Sequence, residues 1–330
     1  MEILVYSGLE LLGDGVMKLP FVRALRRTWP DARITWLAGK GKSVFAGTLA
    51  PLVRDCLDEV IEDAGIGSSW RELRRRPMPG RRFDLVIDTQ RRVLTSLILR
   101  RIRTACFVSG AAGFLLSSRR PVAGARKPPA MIGQLFALLE IAAGHPVAPT
   151  FDLTVASEWR ERAARLLPEG PRYIGLAPGA GGAHKRWPLD RFEALARTEI
   201  ERGHAAAFLL GPDEAAWLPA LRQAVPGARF PLQEGGGAPS PLLTIAVAQR
   251  LAGAVANDSG TGHLMAAAGC PLVSLFGPTR AEKFAPAARR LEIVAAQDFG
   301  ADAMEAIPLD AVAAALERLL GCAPYIPSGT

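Results

Sequence analysis

Residues 254–268 read Ala254-Val255-Ala256, then Asn257-Asp258-Ser259-Gly260-Thr261-Gly262, then a helical pattern from His263 to Ala268. A short apolar strand, a polar glycine-bearing turn and a helix, in that order, make the repeating step of a parallel sheet. The same step recurs on both sides. Leu272 to Phe276 reads as the next strand. Upstream, Tyr173 to Ala177 is a buried strand that opens into Pro178-Gly179-Ala180-Gly181-Gly182. Helical patterns over Asp190–Arg202, Glu214–Ala224 and Leu242–Leu251, a strand at Ala206–Leu210, and a terminal amphipathic helix over Leu309–Leu320 complete one doubly wound unit. Ser157 is expected to cap the helix that opens it.

The first half repeats the design. Ile3–Ser7, Ile34–Ala38 and Asp84–Asp88 read as strands, with a helix from Gly15 to Thr28 and another over Ile132–Ala143. A chain of 330 residues, 49% hydrophobic, has material for two cores. The pattern restarts near Pro149, so the expected domains are 1–150 and 151–330. In open parallel sheets ligands bind outside the carboxyl ends of the strands. Two units facing each other would therefore pool their post-strand loops in one interdomain cleft.

The composition excludes several classes. The apolar runs are short or broken by Arg100, Arg101 and Arg103, so no membrane-spanning helix is expected, and Met1–Tyr6 looks like a first strand rather than a signal peptide. A cytoplasmic location follows. Cys56, Cys106, Cys270 and Cys322 form no CxxC pair and read as reduced thiols. No cluster has metal-ligand spacing, and there is neither an Asp-x-Asp signature nor a G-x-S-x-G elbow.

Charge is distributed unevenly. Residues 1–150 hold 23 Lys/Arg against 13 Asp/Glu, a net of +10, while the remainder holds 17 against 19, a net of −2. The excess clusters at Arg71/Arg74/Arg75/Arg76, Arg81/Arg82, Arg91/Arg92, Arg100/Arg101/Arg103, Arg119/Arg120 and Arg126/Lys127. It reads either as a solvated arginine-rich surface or as a patch for phosphates of anionic lipid or nucleic acid. No aromatic-basic recognition motif supports nucleic acid.

Three loops carry the candidate chemistry. At Asp258-Ser259-Gly260-Thr261-Gly262-His263 a helix N-terminus offers unpaired N–H groups and the positive end of its dipole to a diphosphate. Simple capping by Asp258 or Ser259 does not by itself call for two glycines, a threonine and a histidine together. The loop Pro178 to Gly182, continuing through His184 and Lys185 to Pro188, lets backbone approach a ligand, with Lys185 as a cation for a leaving phosphate. Gly13-Asp14-Gly15 offers Asp14 either as a helix cap or as a general base. Asp88-Thr89-Gln90 ends a strand where an acceptor would lie.

In chain order these blocks resemble glycosyltransferase family 9, the ADP-heptose:lipopolysaccharide heptosyltransferases. The matching residues are Gly13-Asp14 with Leu19-Pro20 and Arg23-Ala24-Leu25, Trp29-Pro30-Asp31-Ala32, Asp84 to Asp88, Pro178-Gly179-Ala180 with Lys185-Arg186-Trp187-Pro188, Asn257 to Gly260 with His263-Leu264, and Phe276-Gly277-Pro278-Thr279. The resemblance implies an α/β GT-B architecture of two Rossmann-like doubly wound domains, with the donor held by the second. It implies an inverting, metal-independent transfer of a heptose or related sugar from an ADP-sugar to an anionic lipopolysaccharide-core acceptor. Asp14 would be the base and Lys185 the donor-phosphate cation. Gly179, Ala180, Asp258, Ser259, Gly260, Thr261 and His263 would line the donor, and Gly13, Asp88 and Gln90 the acceptor. No cofactor is implied beyond the nucleotide-sugar co-substrate, expected to be ADP-heptose. The implied protein is a monomer at the inner-leaflet membrane surface that binds no nucleic acid. The rival readings are a nucleotide-sugar 2-epimerase of the same architecture and a non-catalytic nucleotide- or anion-binding scaffold.

Overall fold

The computed structural model describes residues 1–10, 12–67, 69–122, 124–149, 153–236 and 240–321. The chain divides into two compact units, Met1–Thr150 and Phe151–Thr330. The first contains β1 (Glu2–Ser7), α1 (Leu12–Thr28), β2 (Arg33–Ala38), α2 (Ala50–Val53), β3 (Glu59–Ile61), β4 (Arg82–Asp88), α3 (Val93–Leu99), β5 (Arg103–Ser109) and α4 (Met131–Ala143). Its strands pair in the order β3-β2-β1-β4-β5, every pair parallel. Helices cover both faces of such a sheet, so β1 reads as an unbroken apolar run: Ile3, Leu4 and Val5 are completely buried. Leu4, Tyr6, Leu37, Phe83, Val86, Leu99 and Phe107 form one of its core clusters.

The second unit contains α5 (Ser157–Leu166), β6 (Tyr173–Ala177), α6 (Leu189–Glu201), β7 (Ala205–Phe208), α7 (Leu218–Ala224), α8 (Pro231–Glu234), α9 (Pro241–Ala248), β8 (Leu251–Asn257), α10 (Gly260–Ala267), β9 (Leu272–Phe276), α11 (Ala281–Phe284), β10 (Leu291–Ala295) and α12 (Leu309–Gly321). The strand order is β10-β9-β8-β6-β7, again all parallel. On α12 the residues Val312, Ala315, Leu316 and Leu319 are buried, a stripe at helical spacing that joins the core of Trp187, Phe192, Phe208 and Val255. Both units are thus doubly wound parallel sheets with flanking helices.

Strand order fixes where a ligand fits. In the first unit the chain winds from β1 towards β2 and β3 on one side and from β4 towards β5 on the other. The switch point lies between β1 and β4. In the second unit it lies between β6 and β8, since β7 is on one side and β9 and β10 on the other. Loops leaving these strands diverge there and open a crevice.

The structure departs from the sequence reading in places. The strands β3, β5 and β10 were not expected; each carries residues that are only half-buried or exposed, which blurs the apolar signal. The helix expected over Leu242–Leu251 ends at Ala248, because Leu251 pairs with Tyr173 in the sheet. The segment Glu214–Ala224 is a 3-10 turn, Pro212–Trp217, followed by α7, which starts where Pro219 fits a first helical turn. Ser157 is the first residue of α5 rather than its cap; Ala156 holds that position without a side-chain bond.

One carboxyl is stranded by this packing. Asp88 at the end of β4 is fully buried, and its oxygens accept from Ser96 Oγ, Ser109 Oγ and the Gln90 amide. Burial outweighs these neutral donors and pushes its pKa up to about 6. Between about pH 4 and 6 the folded state therefore holds a proton that the unfolded state has lost. The contribution of Asp88 to stability falls as pH rises through that window, by on the order of 2–3 kcal/mol, and changes no further above it. Asp88→Asn, whose amide can donate to either serine hydroxyl, should remove this slope and leave stability at pH 7 equal or higher. Urea denaturation from pH 4 to 8 reads the result.

Candidate active site

The loops after β6, β8 and β9 converge at the switch point of the second unit. Asn257, the last residue of β8, is completely buried. Its Oδ1 accepts from the Trp187 amide at 3.1 Å, and its Nδ2 donates to the Pro178 carbonyl at 2.8 Å. One side chain thereby holds both ends of the glycine-rich loop 178–187. Trp187 is fixed further by Nε1 donating to the Ile307 carbonyl at 2.9 Å and by an edge-to-face contact with Phe192.

The adjacent Asp258 carries the cluster that faces the crevice. Lys185 Nζ donates to Asp258 Oδ2 at 3.0 Å, and Thr279 Oγ1 donates to the same oxygen at 2.8 Å. The Lys185 side chain remains 29% exposed and the Asp258 side chain 11%. Ser259 caps α10: its backbone is extended and its Oγ accepts from the Gly262 amide. The helix itself offers no acceptor to the amides of Gly260 and Thr261. Around Lys185 the site thus presents a cation, a helix N-terminus and a hydroxyl from each of two loops, which is the chemistry that holds a phosphate.

The glycines divide by role. A Cβ on Gly260 would meet nothing within 4 Å, and Gly181 is equally open. A Cβ on Gly179 would lie 2.6 Å from Glu214 Cδ. Gly179 is therefore needed for Glu214, which is buried under the loop, accepts from the Gly211 amide at 3.1 Å and pairs with Arg186 at 3.5 Å. The carboxylate takes the side of Gly179 that a Cβ would occupy. Ala180 stays half-buried in the same loop, its carbonyl accepting from Arg186. His263 lies in the first turn of α10 with 7% exposure, turned into the unit rather than into solvent.

In the first unit, Gly13 and Asp14 lie in the first turn of α1, both half-buried. Asp14 is the third residue of the helix, so it is not the cap, although a carboxylate in this turn favours the dipole. Gly15 packs so closely that a Cβ would lie 2.2 Å from Val44 Cγ2. Gln90 rests against Gly8 across the β1–β4 switch point, half-buried. Asp88, expected to touch an acceptor, does not reach the surface; its three hydrogen bonds and complete burial make it an internal strut.

Sequence reasoning did not single out four site residues. Asn257 and Thr279 lay inside quoted blocks without a role, though a polar residue ending a buried strand is the signal for Asn257. Glu214 and Glu10, both buried carboxylates, gave no local pattern. Replacing Asn257 by Ala orphans the Trp187 amide and the Pro178 carbonyl together, at a cost of roughly 2–4 kcal/mol. Asn257→Ala should lower the denaturation midpoint and abolish nucleotide binding, whereas Thr279→Val should weaken binding alone; melting and calorimetry on the two variants separate the effects.

Residues 68–306 match the family model described as glycosyltransferase family 9 (heptosyltransferase). The chain is 33% identical over 137 residues to lipooligosaccharide heptosyltransferase 2 of Haemophilus influenzae, a match spanning 41% of the chain and 39% of that relative. It is 29% identical over 288 residues to lipopolysaccharide heptosyltransferase 1 of Pseudomonas aeruginosa, covering 81% of the chain and 76% of the relative. The fold superposes on the E. coli heptosyltransferase WaaC with ADP at a TM-score of 0.68, with 16% identity over 97% of this chain and 100% of that one. With more than half its length matched by the family model, the chain belongs to glycosyltransferase family 9.

Proposed function

We propose that the protein transfers a heptose, with inversion, from ADP-heptose to an anionic lipopolysaccharide-core acceptor. The observation that carries the reading is the Lys185–Asp258–Thr279 cluster beside the N-terminus of α10, at the β6/β8 switch point. The matched relatives are heptosyltransferases, and the similar solved structure holds ADP, which supports the same donor here.

On this reading residues 151–330 bind the donor and residues 1–150 the acceptor. The Asp14 carboxylate takes the proton of the acceptor hydroxyl, whose oxygen attacks the anomeric carbon from the face opposite the nucleotide. The bond from the anomeric carbon to the diphosphate oxygen breaks, and ADP departs with the electron pair. Lys185 and the amides of Gly260 and Thr261 stabilise the charge that develops there. Ser259 and Thr261 supply hydroxyls to the diphosphate, and Gln90 with the Gly13 backbone borders the acceptor. Lys185 answers the leaving charge, so a chelator should leave turnover unchanged. The arginine-rich first half would then meet the phosphates of the acceptor and of the inner leaflet, with the protein acting as a peripheral monomer in the cytoplasm.

Calorimetry with ADP-heptose, ADP, UDP and GDP tests the donor. Selective binding of ADP-heptose should weaken at least tenfold in Lys185→Ala. Asp14→Asn should bind ADP-heptose as the native protein does yet lose at least a hundredfold in turnover with a heptose-free core acceptor. Preference for UDP or GDP would overturn the choice of donor. Release of an epimerised sugar nucleotide without acceptor would replace transfer by epimerisation, and no binding at all would leave a scaffold.

A further inference from the structure

The helix α3 is a short apolar segment set between two pairs of arginines: Arg91-Arg92, then Val93 to Leu99 without a charge, then Arg100-Arg101. Its Thr95, Ser96, Ile98 and Leu99 are buried in the unit, but Val93 stays 48% exposed. Two neighbouring segments are tied to it. The 3-10 turn Trp70–Arg74 packs against the helix, with Thr95 Oγ1 donating to the Gly67 carbonyl at 2.7 Å before the turn and Arg101 Nε donating to the Arg75 carbonyl at 3.2 Å after it. The loop after β5 packs against the helix as well, and Arg100 Nη1 donates to the Leu116 carbonyl at 2.7 Å. These segments leave Trp70 69% and Leu115 63% exposed. Single exposed apolar residues are ordinary, but a tryptophan, a leucine and a valine around one helix are a group. The arginines at both ends of α3 are exposed beside them, as are Arg71, Arg74 and Arg75.

Little negative charge offsets these cations. Residues 64–139 hold 15 Lys/Arg against three carboxylates. Glu72 accepts from the Gly67 and Ser69 amides, Asp84 accepts from the Glu2 amide, and Asp88 is buried. Among the described residues, the cation of this stretch that pairs with a carboxylate is Arg81, on Glu59.

We infer that this face docks the first unit on an anionic bilayer, its arginines on headgroup phosphates and Trp70, Val93 and Leu115 in the interfacial layer. The inference rests on the membrane placement proposed above, to which it adds the face and the apolar contact; it needs nothing of the transfer chemistry. Guanidinium forks match phosphate oxygens, and an anionic leaflet attracts each cation near it. Tryptophan settles at the boundary between headgroups and acyl chains, and aliphatic side chains at the same depth add to binding with the area they bury. Free phosphate has no use for exposed apolar side chains. A nucleic acid would stack on the tryptophan but leave the leucine and valine in water. Arg91 directly follows Gln90, so a bilayer on this face lies beside the end of β4, where the acceptor is proposed to bind.

The test is co-sedimentation of the full chain with vesicles of phosphatidylcholine, alone or mixed with phosphatidylglycerol. The protein should bind the mixed vesicles, more weakly at high salt, and stay in solution with the neutral ones. Trp70→Ser and Leu115→Ser keep every charge and should each weaken partition about tenfold, the size of a large apolar side chain returned to water. Arg71→Gln and Arg74→Gln should each cost about fivefold. Ile293→Ser, at an exposed apolar position of the second unit, should change nothing. All five positions are exposed, so melting and ADP-heptose affinity should match the native protein. Brominated acyl chains should quench the tryptophan emission of the native protein on mixed vesicles and leave that of Trp70→Phe unquenched. Native binding that Trp70→Ser and Leu115→Ser do not weaken overturns the face and leaves the membrane placement standing. No binding of the native protein to either vesicle overturns both. An oligonucleotide bound more tightly than the vesicles, with Arg71→Gln weakening it and Leu115→Ser not, replaces lipid as the occupant.

Discussion

The second unit depends on a single amide. Asn257 ends a buried strand at a position where an apolar residue would satisfy the core equally well. Its side chain instead donates to Pro178 and accepts from Trp187, closing a loop of ten residues against the end of β8. In a buried setting neither backbone group has water as an alternative, so the loop has one place to go. Lys185 rides on that loop and Asp258 is the next residue of the chain, so the bond that fixes the loop also brings the cation to the helix N-terminus. The geometry of the Lys185–Asp258 contact thus follows from satisfying two backbone groups.

Why the loops diverge at this point is a matter of topology. Right-handed crossovers from β6 to β7 and from β8 to β9 leave in opposite directions, and the space between them is lined by whatever follows β6 and β8. The glycines then serve two separate demands. Gly179 and Gly211 make way for the buried Glu214 carboxylate, which braces the loop from beneath. Gly260 faces open space above α10, where backbone can meet a ligand. A glycine-rich stretch is therefore part scaffold and part site, and only its three-dimensional neighbours tell which glycine does which.

The sequence carried the alternation of strands and helices clearly, because fully buried parallel strands such as Ile3–Ser7 and Tyr173–Ala177 are apolar without interruption. It carried Ser259 as a cap for a local reason: the bond joins residues adjacent in the chain. It did not carry β3 or β10, whose partly exposed residues resemble loops, nor the end of α9, which is decided by a partner strand about eighty residues away. Asp88 was misplaced for the same cause. A polar residue ending a strand looks solvent-facing until α3 and β5 supply Ser96 and Ser109 to cover it. Glu214 and Glu10 bond to groups distant in sequence, so no spacing rule reveals them.

Two buried carboxyls in the first unit serve as internal struts and are held in different ways. Asp88 is surrounded by neutral donors only, and burial drives its pKa into the range of weak acids. Glu10 is met by a formal cation as well as by hydroxyl and indole donors. Both groups are buried and bonded at both oxygens, so neither carboxyl is open to solvent. Asp14, at the half-buried start of α1, is placed differently: it keeps partial contact with solvent and sits where the dipole favours its charge. Of these three acidic side chains around the β1–β4 switch point, two are consumed in fixing the loops that leave it. Burial therefore singles out Asp14 as the one with access to a proton from outside.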